Sequence, residues 1–183
     1  MQTNQLPPFT DYLLSKKSVD DRALNLRVWN QFGESLQQRA TLKDQLDILE
    51  VGGGIGTMLA RLLENDTLPN CRYTLVDTEP DSIAYAQVYL ENWAREANWR
   101  FEFVTDDRFR LTNDKRRVDV ETICGDIFPL LARCPAAWDA MIAHAVLDLF
   151  HLPSALPSLL TALQPGGLFY TTINYDGLTI FEP

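Results

Sequence analysis

The 183 residues are enough for one well-buried α/β core and too few for a second full domain, so we expect a single domain. Apolar residues make up 46% of the chain and charged residues 22%, which is typical of a globular protein and excludes a disordered or fibrous design. The formal net charge of −9 would repel a phosphate backbone, which argues against nucleic acid as a partner.

Two further classes are disfavoured by local composition. The chain contains no apolar run long enough to span a bilayer, and its N-terminal residues lack a basic start followed by an apolar segment, so we expect a cytoplasmic protein with no membrane partner. Cys71, Cys124 and Cys134 are an odd number without CxxC spacing. They argue against a disulfide framework and a zinc site, so we predict no metal and cysteines that are reduced and mostly buried.

The first predicted element is a helix that begins near Ser18. Ser18 can cap the helix and Asp21 can reach back to it, as in a capping box. Apolar residues then recur on one face, at Leu24, Val28, Trp29, Phe32 and Leu36. Together these signals predict one amphipathic helix that packs on the domain.

A repeated order of strand and helix follows. LDILEV (46–51) is a short apolar run that ends in glycines, as in a buried strand, and apolar residues then recur at helical spacing from Met58. CRYTLVD (71–77) predicts a second strand, and Pro80 opens a second helix. The sequence predicts an antiparallel hairpin over 101–117, inserted ahead of the third strand at 119–124.

The remaining segments continue the pattern. WDAMIAHA (138–145) predicts a fourth strand, a short helix follows over 156–163, residues 164–167 form a turn by composition, and LFYTTIN (168–174) is a fifth strand. Strands that alternate with helices indicate right-handed crossovers. We therefore predict a doubly wound, mostly parallel α/β sheet with helices on both faces.

The glycines after the first strand carry the functional signal. A glycine-rich turn between a parallel strand and a helix lets a ligand approach the main chain, and the helix N-terminus offers unpaired N–H groups. The dinucleotide pattern GxGxxG would need a glycine at Thr57. Gly52, Gly54 and Gly56 instead fit GxGxG, which argues against a nicotinamide dehydrogenase.

EVGGGIG (50–56) follows the first strand, and Asp77 ends the second. Gly125-Asp126-Ile127 follows the third strand, and LQPGGLFYTT (163–172) leads into the fifth. In these four features the chain resembles class I S-adenosylmethionine-dependent methyltransferases. The resemblance covers about residues 47–173. It implies a Rossmann-like fold with strand order 3-2-1-4-5 and S-adenosylmethionine as cofactor. We divide the chain into an N-terminal helical cap region, 1–45, and a cofactor-binding region, 46–183.

The resemblance also implies a set of site residues. Asp77 would hold the ribose hydroxyls, Asp126 the adenine amino group and Ile127 the adenine ring. Glu50 lies near the methionine end of the cofactor or holds the glycine loop. Arg22 would pair with the cofactor carboxylate or form a surface ion pair. The predicted cofactor-binding residues are Arg22, Glu50, Gly52, Gly53, Gly54, Gly56, Asp77, Thr78, Asp126, Ile127 and His144. The alternative is a purely structural role, in which the two aspartates only cap helices and the glycines only form a turn.

Catalysis would need few residues, because the cofactor carries the reactive methyl group. Open parallel sheets bind ligands at the carboxyl ends of their strands, which selects Ala143-His144-Ala145 and Asn174-Tyr175-Asp176. His144 is the catalytic candidate, as a general base or as a residue that only packs against the cofactor. His151 is expected at a loop or helix end, and Asp148 is expected to cap or orient.

The acceptor is expected to be a small molecule, because residues 143–146 read AHAV and lack the Asn/Asp-Pro-Pro-Tyr/Phe pattern of nucleobase or glutamine methylation. The alternatives are methylation of a protein side chain and a non-catalytic cofactor-binding module with a regulatory or interaction role. The family sheet usually has two further strands, which this chain is expected to lack. A piece of a longer protein, a shortened member or a sheet edge completed by a partner, such as a homodimer, would each account for that.

Overall fold

The computed structural model describes Lys17, Arg22 and residues 24–172. Within this part of the chain, seven strands form one sheet. The strands are β1 (Leu46–Val51), β2 (Cys71–Asp77), β3 (Arg100–Thr105), β4 (Arg108–Thr112), β5 (Arg117–Cys124), β6 (Trp138–His144) and β7 (Leu163–Thr172). Their order across the sheet is β3-β4-β5-β2-β1-β6-β7.

The sheet is mixed. Strands β5, β2, β1, β6 and β7 are parallel neighbours, whereas β3 pairs with β4, and β4 with β5, in antiparallel register. The α/β class and the hairpin are confirmed. The predicted order 3-2-1-4-5 holds for the five parallel strands, β5-β2-β1-β6-β7, but it is wrong for the sheet as a whole, because β3 and β4 extend the sheet beyond β5. The hairpin is part of the sheet because Phe109 and Leu111 are buried in its core. The prediction that two strands are missing concerns residues after Thr172, which lie outside the described part.

Helices cover both faces of the sheet, as predicted. They are α1 (Leu26–Ala40), α2 (Thr57–Glu64), α3 (Pro80–Glu96), α4 (Ile127–Arg133) and α5 (Leu152–Ala162), with a 3₁₀ turn at Leu147–Leu149. One buried cluster joins α1, α2 and α3 to the sheet, and a second joins α4 and α5 to it. Strand β1 supplies both, because Ile48 belongs to the first cluster and Leu49 to the second, as the alternation of side chains along a strand requires.

The N-terminal helix differs from the prediction. Ser18 and Asp21 lie outside the described residues, Leu24 and Asn25 are not helical, and α1 begins at Leu26. The Asn25 side chain accepts hydrogen bonds from the N–H groups of Arg27 (3.1 Å) and Val28 (3.2 Å). One helix through Leu24 is therefore wrong, because Asn25 caps a new helix. The described part of that predicted apolar face is buried at Trp29, Phe32 and Leu36, whereas Val28 is 48% exposed.

The predicted turn at 164–167 lies inside β7. Trp138 is paired with Leu163 and Ala140 with Leu168, so β7 contains extra residues between these two pairs. Gly166 has φ +70°, which favours glycine, and its carbonyl accepts a hydrogen bond from Nη1 of Arg39 (3.0 Å). The turn residues thus form a bulge that α1 stabilises, and they do not end the strand.

The three cysteines are free thiols. Cys71 is buried and Cys134 partly so, but Cys124 is exposed at the carboxyl end of β5. The expectation of mostly buried cysteines is wrong for Cys124.

Buried charge holds α1 to the amino-terminal end of the sheet. Asp139 is 0% exposed and accepts hydrogen bonds from Nε of Arg39 (2.9 Å), Nζ of Lys43 (2.6 Å) and the N–H of Asp47 (2.9 Å). Burial acts to raise the pKa of Asp139, but these three donors outweigh it, so its pKa is lowered. Asp139 is therefore an ionised structural residue with its charge compensated.

Candidate functional site

A cavity of about 640 Å³ opens at the carboxyl ends of the parallel strands. Its walls come from the ends of β1, β2 and β6, the starts of α2 and α4 and the segment after β6. The lining residues are Glu50, Val51, Gly52, Gly53, Gly54, Ile55, Thr57, Met58, Val76, Asp77, Thr78, Glu79, Gly125, Asp126, Ile127, His144, Ala145, Val146, Asp148, Leu149 and Phe150. Most of the predicted site residues therefore meet in one cavity, as the carboxyl ends of parallel strands should.

The glycine loop is tied to β2 and packed too closely for side chains. The N–H groups of Gly52 and Gly53 both donate to the carbonyl of Val76, at 2.9 and 3.1 Å. Gly52 has φ +67°, and a Cβ added there would lie 2.6 Å from Cγ2 of Val146. Only glycine fits this position, because both the backbone conformation and the space exclude a side chain.

Gly56 has a different role from the other loop glycines. It caps the N-terminus of α2 with φ +82°, and an added Cβ would lie 2.9 Å from Cδ1 of Leu90 in α3. Gly56 is absent from the cavity lining. It allows α2 and α3 to approach each other, and its contact with the cofactor stays a prediction.

Asp77 joins the glycine loop to the start of α3. Its Oδ2 accepts a hydrogen bond from the N–H of Gly54 (2.8 Å), and its Oδ1 accepts one from the N–H of Glu79 (2.9 Å). Each carboxylate oxygen has two lone pairs, so each oxygen can still accept one more hydrogen bond. Asp77 therefore performs the structural role and can also bind a pair of hydroxyls.

Asp126 likewise combines a cap with a place in the cavity. It is the N-cap of α4 and accepts a hydrogen bond from the N–H of Phe128 (3.1 Å). The next residue, Ile127, is 4% exposed, and both residues line the cavity beside Gly125. A polar group and an apolar side chain are thus adjacent, as recognition of a heterocyclic base requires.

Glu50 is the most deeply buried acid of the cavity, at 2% exposure. Its Oε2 accepts a hydrogen bond from the hydroxyl of Tyr73 (2.7 Å). Burial raises the pKa of Glu50 to about 8, Asp77 adds to the increase, and Tyr73 and Arg61 oppose it. The carboxyl group therefore retains its proton at neutral pH when no further positive charge is near.

His144 lies at the end of β6, where the fourth predicted strand placed it. Its Nδ1 is 2.5 Å from Oγ1 of Thr172, at the end of the neighbouring strand β7. Its Nε2 is buried. Thr172 thus fixes the orientation of the ring, and Nε2 is not exposed to the cavity in this arrangement.

The other predicted residues lie as follows. Arg22 is helical and exposed and does not line the cavity, so its pairing with the cofactor stays a prediction. Asp148 lines the cavity, and His151 is the N-cap of α5, the helix end predicted for it. The segment Asn174-Tyr175-Asp176 lies outside the described residues.

Several residues of the site were not identified from the sequence. Tyr73 and Thr172 hold Glu50 and His144, and Val146, Leu149 and Phe150 form an apolar wall. Tyr73 lies two residues before Leu75 on β2, so both side chains point to the same face of the sheet, and Leu75 is the residue paired with Glu50. The sequence offered no other signal for Tyr73. Using that signal requires the strand register, which the sequence does not supply.

The charge of the cavity has one sign. Its acidic lining residues are Asp77, Glu79, Asp126 and Asp148, together with Glu50, which is protonated while no ligand is bound. No lysine or arginine is among the described residues that line it. Clefts lined by one sign of charge attract ligands of the opposite sign. The cavity therefore suits a cationic ligand and repels phosphate. The described residues hold no group of His, Cys, Asp and Glu arranged to bind a metal ion.

The family model for a methyltransferase domain matches residues 49–169, which contain the glycine loop, Asp77, Asp126 and His144. The chain belongs to this methyltransferase family. The resemblance to class I S-adenosylmethionine-dependent methyltransferases is thereby confirmed, and S-adenosylmethionine is the cofactor of that family. No curated protein matches the chain in sequence.

Solved structures of methyltransferases are similar to this chain. The plantazolicin methyltransferase BpumL in complex with SAH is 20% identical with a TM-score of 0.51, over 90% of this chain and 52% of its own. A methyltransferase in complex with the Trm112 activator of Haloferax volcanii is 17% identical with a TM-score of 0.48, over 90% and 60%. The precorrin-6y C5,15-methyltransferase of Geobacter metallireducens is 11% identical with a TM-score of 0.47, over 78% and 58%.

This methyltransferase domain spans between 52% and 60% of the length of those structures. Among the helices of the described part, none has the length and apolar character needed to cross a membrane.

Proposed function

We propose that this chain binds S-adenosylmethionine in the cavity at the glycine loop and transfers the methyl group to a small-molecule acceptor. The observation that carries the proposal is the combination of a loop in which Gly52 excludes any side chain with a cavity whose charged lining residues are acidic. The cofactor contains a sulfonium and an ammonium group, and an acid-lined cavity favours both.

The residues of the cavity fit this cofactor in kind. Asp77 has one accepting position left on each oxygen for the ribose hydroxyls, and Thr78 follows it along the wall. Asp126 would accept from the adenine amino group, with Ile127 against the ring. Glu50 and the glycine loop would surround the methionine end, and Arg22 remains the proposed partner of its carboxylate.

The bound cofactor would supply an electrophilic methyl group, which the acceptor would attack in line while the carbon–sulfur bond breaks and the neutral thioether leaves. The chain would orient the acceptor, exclude water and remove a proton where the acceptor carries one. The apolar wall of Val146, Leu149 and Phe150 can shield the reacting centre. His144 would act as the base only if the Nε2 atom, which is buried here, became accessible in the loaded state.

The acidic lining favours a neutral or cationic acceptor, such as an amine, over a phosphorylated one.

In this proposal, residues 46–183 form the cofactor-binding unit and residues 1–45 a helical cap, and the protein is cytoplasmic. The burial of Trp29, Phe32 and Leu36 of α1 against the sheet supports one domain overall. A homodimer remains a prediction that light scattering can test.

A second candidate is a cofactor-binding domain without catalysis. One observation favours it: His144, the histidine of the described cavity lining, has Nδ1 beside Thr172 and Nε2 buried. A general base should instead present a ring nitrogen to the acceptor.

Methyl transfer separates the two candidates. The chain is incubated with S-adenosylmethionine labelled in the methyl group and with separate small-molecule and protein fractions of a cell extract. Label in a small molecule supports the proposal, whereas label in protein would move the acceptor class to side chains. Cofactor binding without any transfer would favour the non-catalytic domain. His144→Ala should then bind the cofactor but lose transfer if His144 is the base; unchanged transfer would remove it from catalysis.

A further inference from the structure

Glu50 differs from the other acids of the cavity because it lies beneath the surface. Asp77 is partly buried and Glu79 is exposed, whereas Glu50 is 2% exposed. It still lines the cavity, so a bound ligand would lie close to it. Its carboxyl group is thus positioned to respond to the charge of a ligand without being screened by solvent.

The surroundings of Glu50 set its charge. On β2, Tyr73 donates to it at 2.7 Å and Asp77 carries a like charge, while on α2 the guanidinium of Arg61 is near enough to stabilise the anion. On β6 its paired residue is Ile142, which is apolar. The balance of burial against these groups raises the pKa of Glu50 to about 8. A modest additional positive charge would therefore suffice to ionise it.

The two forms of the cofactor differ by one positive charge. S-adenosylmethionine has a sulfonium, an ammonium and a carboxylate, so its net charge is positive. The product, S-adenosylhomocysteine, keeps the ammonium and the carboxylate but has a neutral thioether. A buried acid beside the ligand can therefore distinguish them by charge alone, even though their shapes are nearly the same.

We propose that Glu50 makes the cavity selective for the cationic cofactor over its neutral product: it is protonated in the absence of ligand and gives its proton to the solvent when S-adenosylmethionine binds. This inference rests on the proposed function. The proton leaves the carboxyl group for buffer, and the resulting carboxylate faces the positive ligand. Departure of the methyl group removes the sulfonium charge, Glu50 takes up a proton again, and release of the product is favoured.

Proton linkage gives the proposal a pH signature. Below the pKa of Glu50, each ligand bound releases close to one proton, so affinity for S-adenosylmethionine should rise up to about tenfold for each pH unit between 6 and 8. Affinity for S-adenosylhomocysteine should rise less over the same range. Glu50→Gln cannot ionise, so its affinity for both ligands should be nearly independent of pH, and its preference for the cationic ligand should fall.

Titration calorimetry at pH 7 in buffers of different ionisation enthalpy measures the released proton directly. Wild type should release close to one proton with S-adenosylmethionine and fewer with S-adenosylhomocysteine, and Glu50→Gln should release none with either. Glu79→Gln is the matched control, because it removes an exposed acid of the same cavity and should keep the release. Tyr73→Phe removes the hydrogen bond that stabilises the anion, so it should move the pH dependence upward.

The outcomes separate the inference from the proposed function. Binding of S-adenosylmethionine with no proton release, or with equal release by wild type and Glu50→Gln, would overturn the inference and leave cofactor binding intact. Equal proton release with both ligands would overturn selectivity for the sulfonium. Failure of folded wild type to bind either ligand would overturn the proposed function, and the inference with it. Circular dichroism of each variant identifies a loss of folding.

Discussion

Glu50 and Asp139 are buried carboxyl groups on neighbouring strands, at opposite ends of the sheet. Asp139 receives hydrogen bonds from Arg39, Lys43 and a backbone N–H, and its pKa is lowered although burial opposes this. At Glu50, burial dominates and raises the pKa to about 8. Similar burial therefore gives opposite charge states, because the two ends of the sheet supply different partners.

The comparison separates structure from function in this fold. At the amino-terminal end, acids are matched with arginine and lysine, so they fasten α1 and the strands together. At the carboxyl end, acids gather around a cavity whose described lining contains no lysine or arginine. Strongly perturbed acids in clefts are candidates for functional sites, whereas compensated ones are usually structural. A cationic ligand would neutralise the negative charge of the acids at the carboxyl end of the sheet.

The largest expected effect comes from removing the charge of Asp139. Asp139→Asn should lower the free energy of unfolding by about 3–5 kcal/mol, because it leaves Arg39 and Lys43 without their buried counter-charge. The check is urea unfolding at pH 7. Asp66→Asn is the matched control, since Asp66 pairs with Arg116 at 2.8 Å but is 69% exposed; it should change the free energy by less than about 1 kcal/mol. Equal effects would show that burial of the pair is unimportant.

The second prediction concerns the pH dependence of stability at Glu50. Between an unfolded pKa near 4.5 and a folded pKa of about 8, the native state holds a proton that the unfolded state has lost, so wild-type stability falls as pH rises. Glu50→Gln does not titrate. Its stability relative to wild type should therefore increase by about 1.4 kcal/mol per pH unit within that range.

Denaturant unfolding at several pH values between 5 and 8 measures this slope. Glu91→Gln serves as the control, because Glu91 is exposed and forms an i,i+4 pair with Arg95 at 3.3 Å. Its difference from wild type should stay constant. A constant difference for Glu50→Gln as well would mean that Glu50 is ionised in the folded chain, and the contrast with Asp139 would disappear.

A smaller effect is expected from two glycines with similar backbone angles. Gly166 has φ +70°, and an added Cβ would meet only Nη1 of Arg39, at 3.7 Å; at Gly52 the nearest atom would be 2.6 Å away. Gly166→Ala should cost about 1 kcal/mol of backbone strain, and Gly52→Ala about 2–3 kcal/mol because the contact with Val146 is added. Thermal unfolding of the two variants tests whether Gly52→Ala costs more stability than Gly166→Ala. Equal costs would show that the loop yields to a side chain.

The sequence predicted those parts of the fold that local patterns encode. Strand, glycine turn and helix around residues 46–63, and the second repeat from Cys71, follow from periodicity and from Pro80. The hairpin was recognised, but its place in the sheet was not, because antiparallel pairing of β4 with β5 depends on long-range burial of Phe109 and Leu111. Asn25 caps α1, although the apolar period from Leu24 to Leu36 shows no break there.

The site was predictable to a similar extent. Glu50, Gly52, Asp77, Asp126 and His144 converge in one cavity because parallel strands bring their carboxyl ends together. The contacts that define the chemistry of these residues could not be predicted in the same way. The hydrogen bond from Tyr73 and the contact with Thr172 cross between strands whose register no local pattern specifies. Similarly, only the packing of α3 shows that Gly56 faces Leu90 and not the cavity.

Binding of S-adenosylmethionine by the isolated chain tests the central claim most directly. Titration calorimetry would compare wild type with Asp77→Ala, which removes the acceptors proposed for the ribose, and with Asp77→Asn, which keeps the shape and one acceptor oxygen. The account predicts binding by wild type, an affinity loss of about tenfold in Asp77→Asn from weakened charged hydrogen bonds and a larger loss in Asp77→Ala. Folded wild-type protein that binds neither S-adenosylmethionine nor S-adenosylhomocysteine would contradict it.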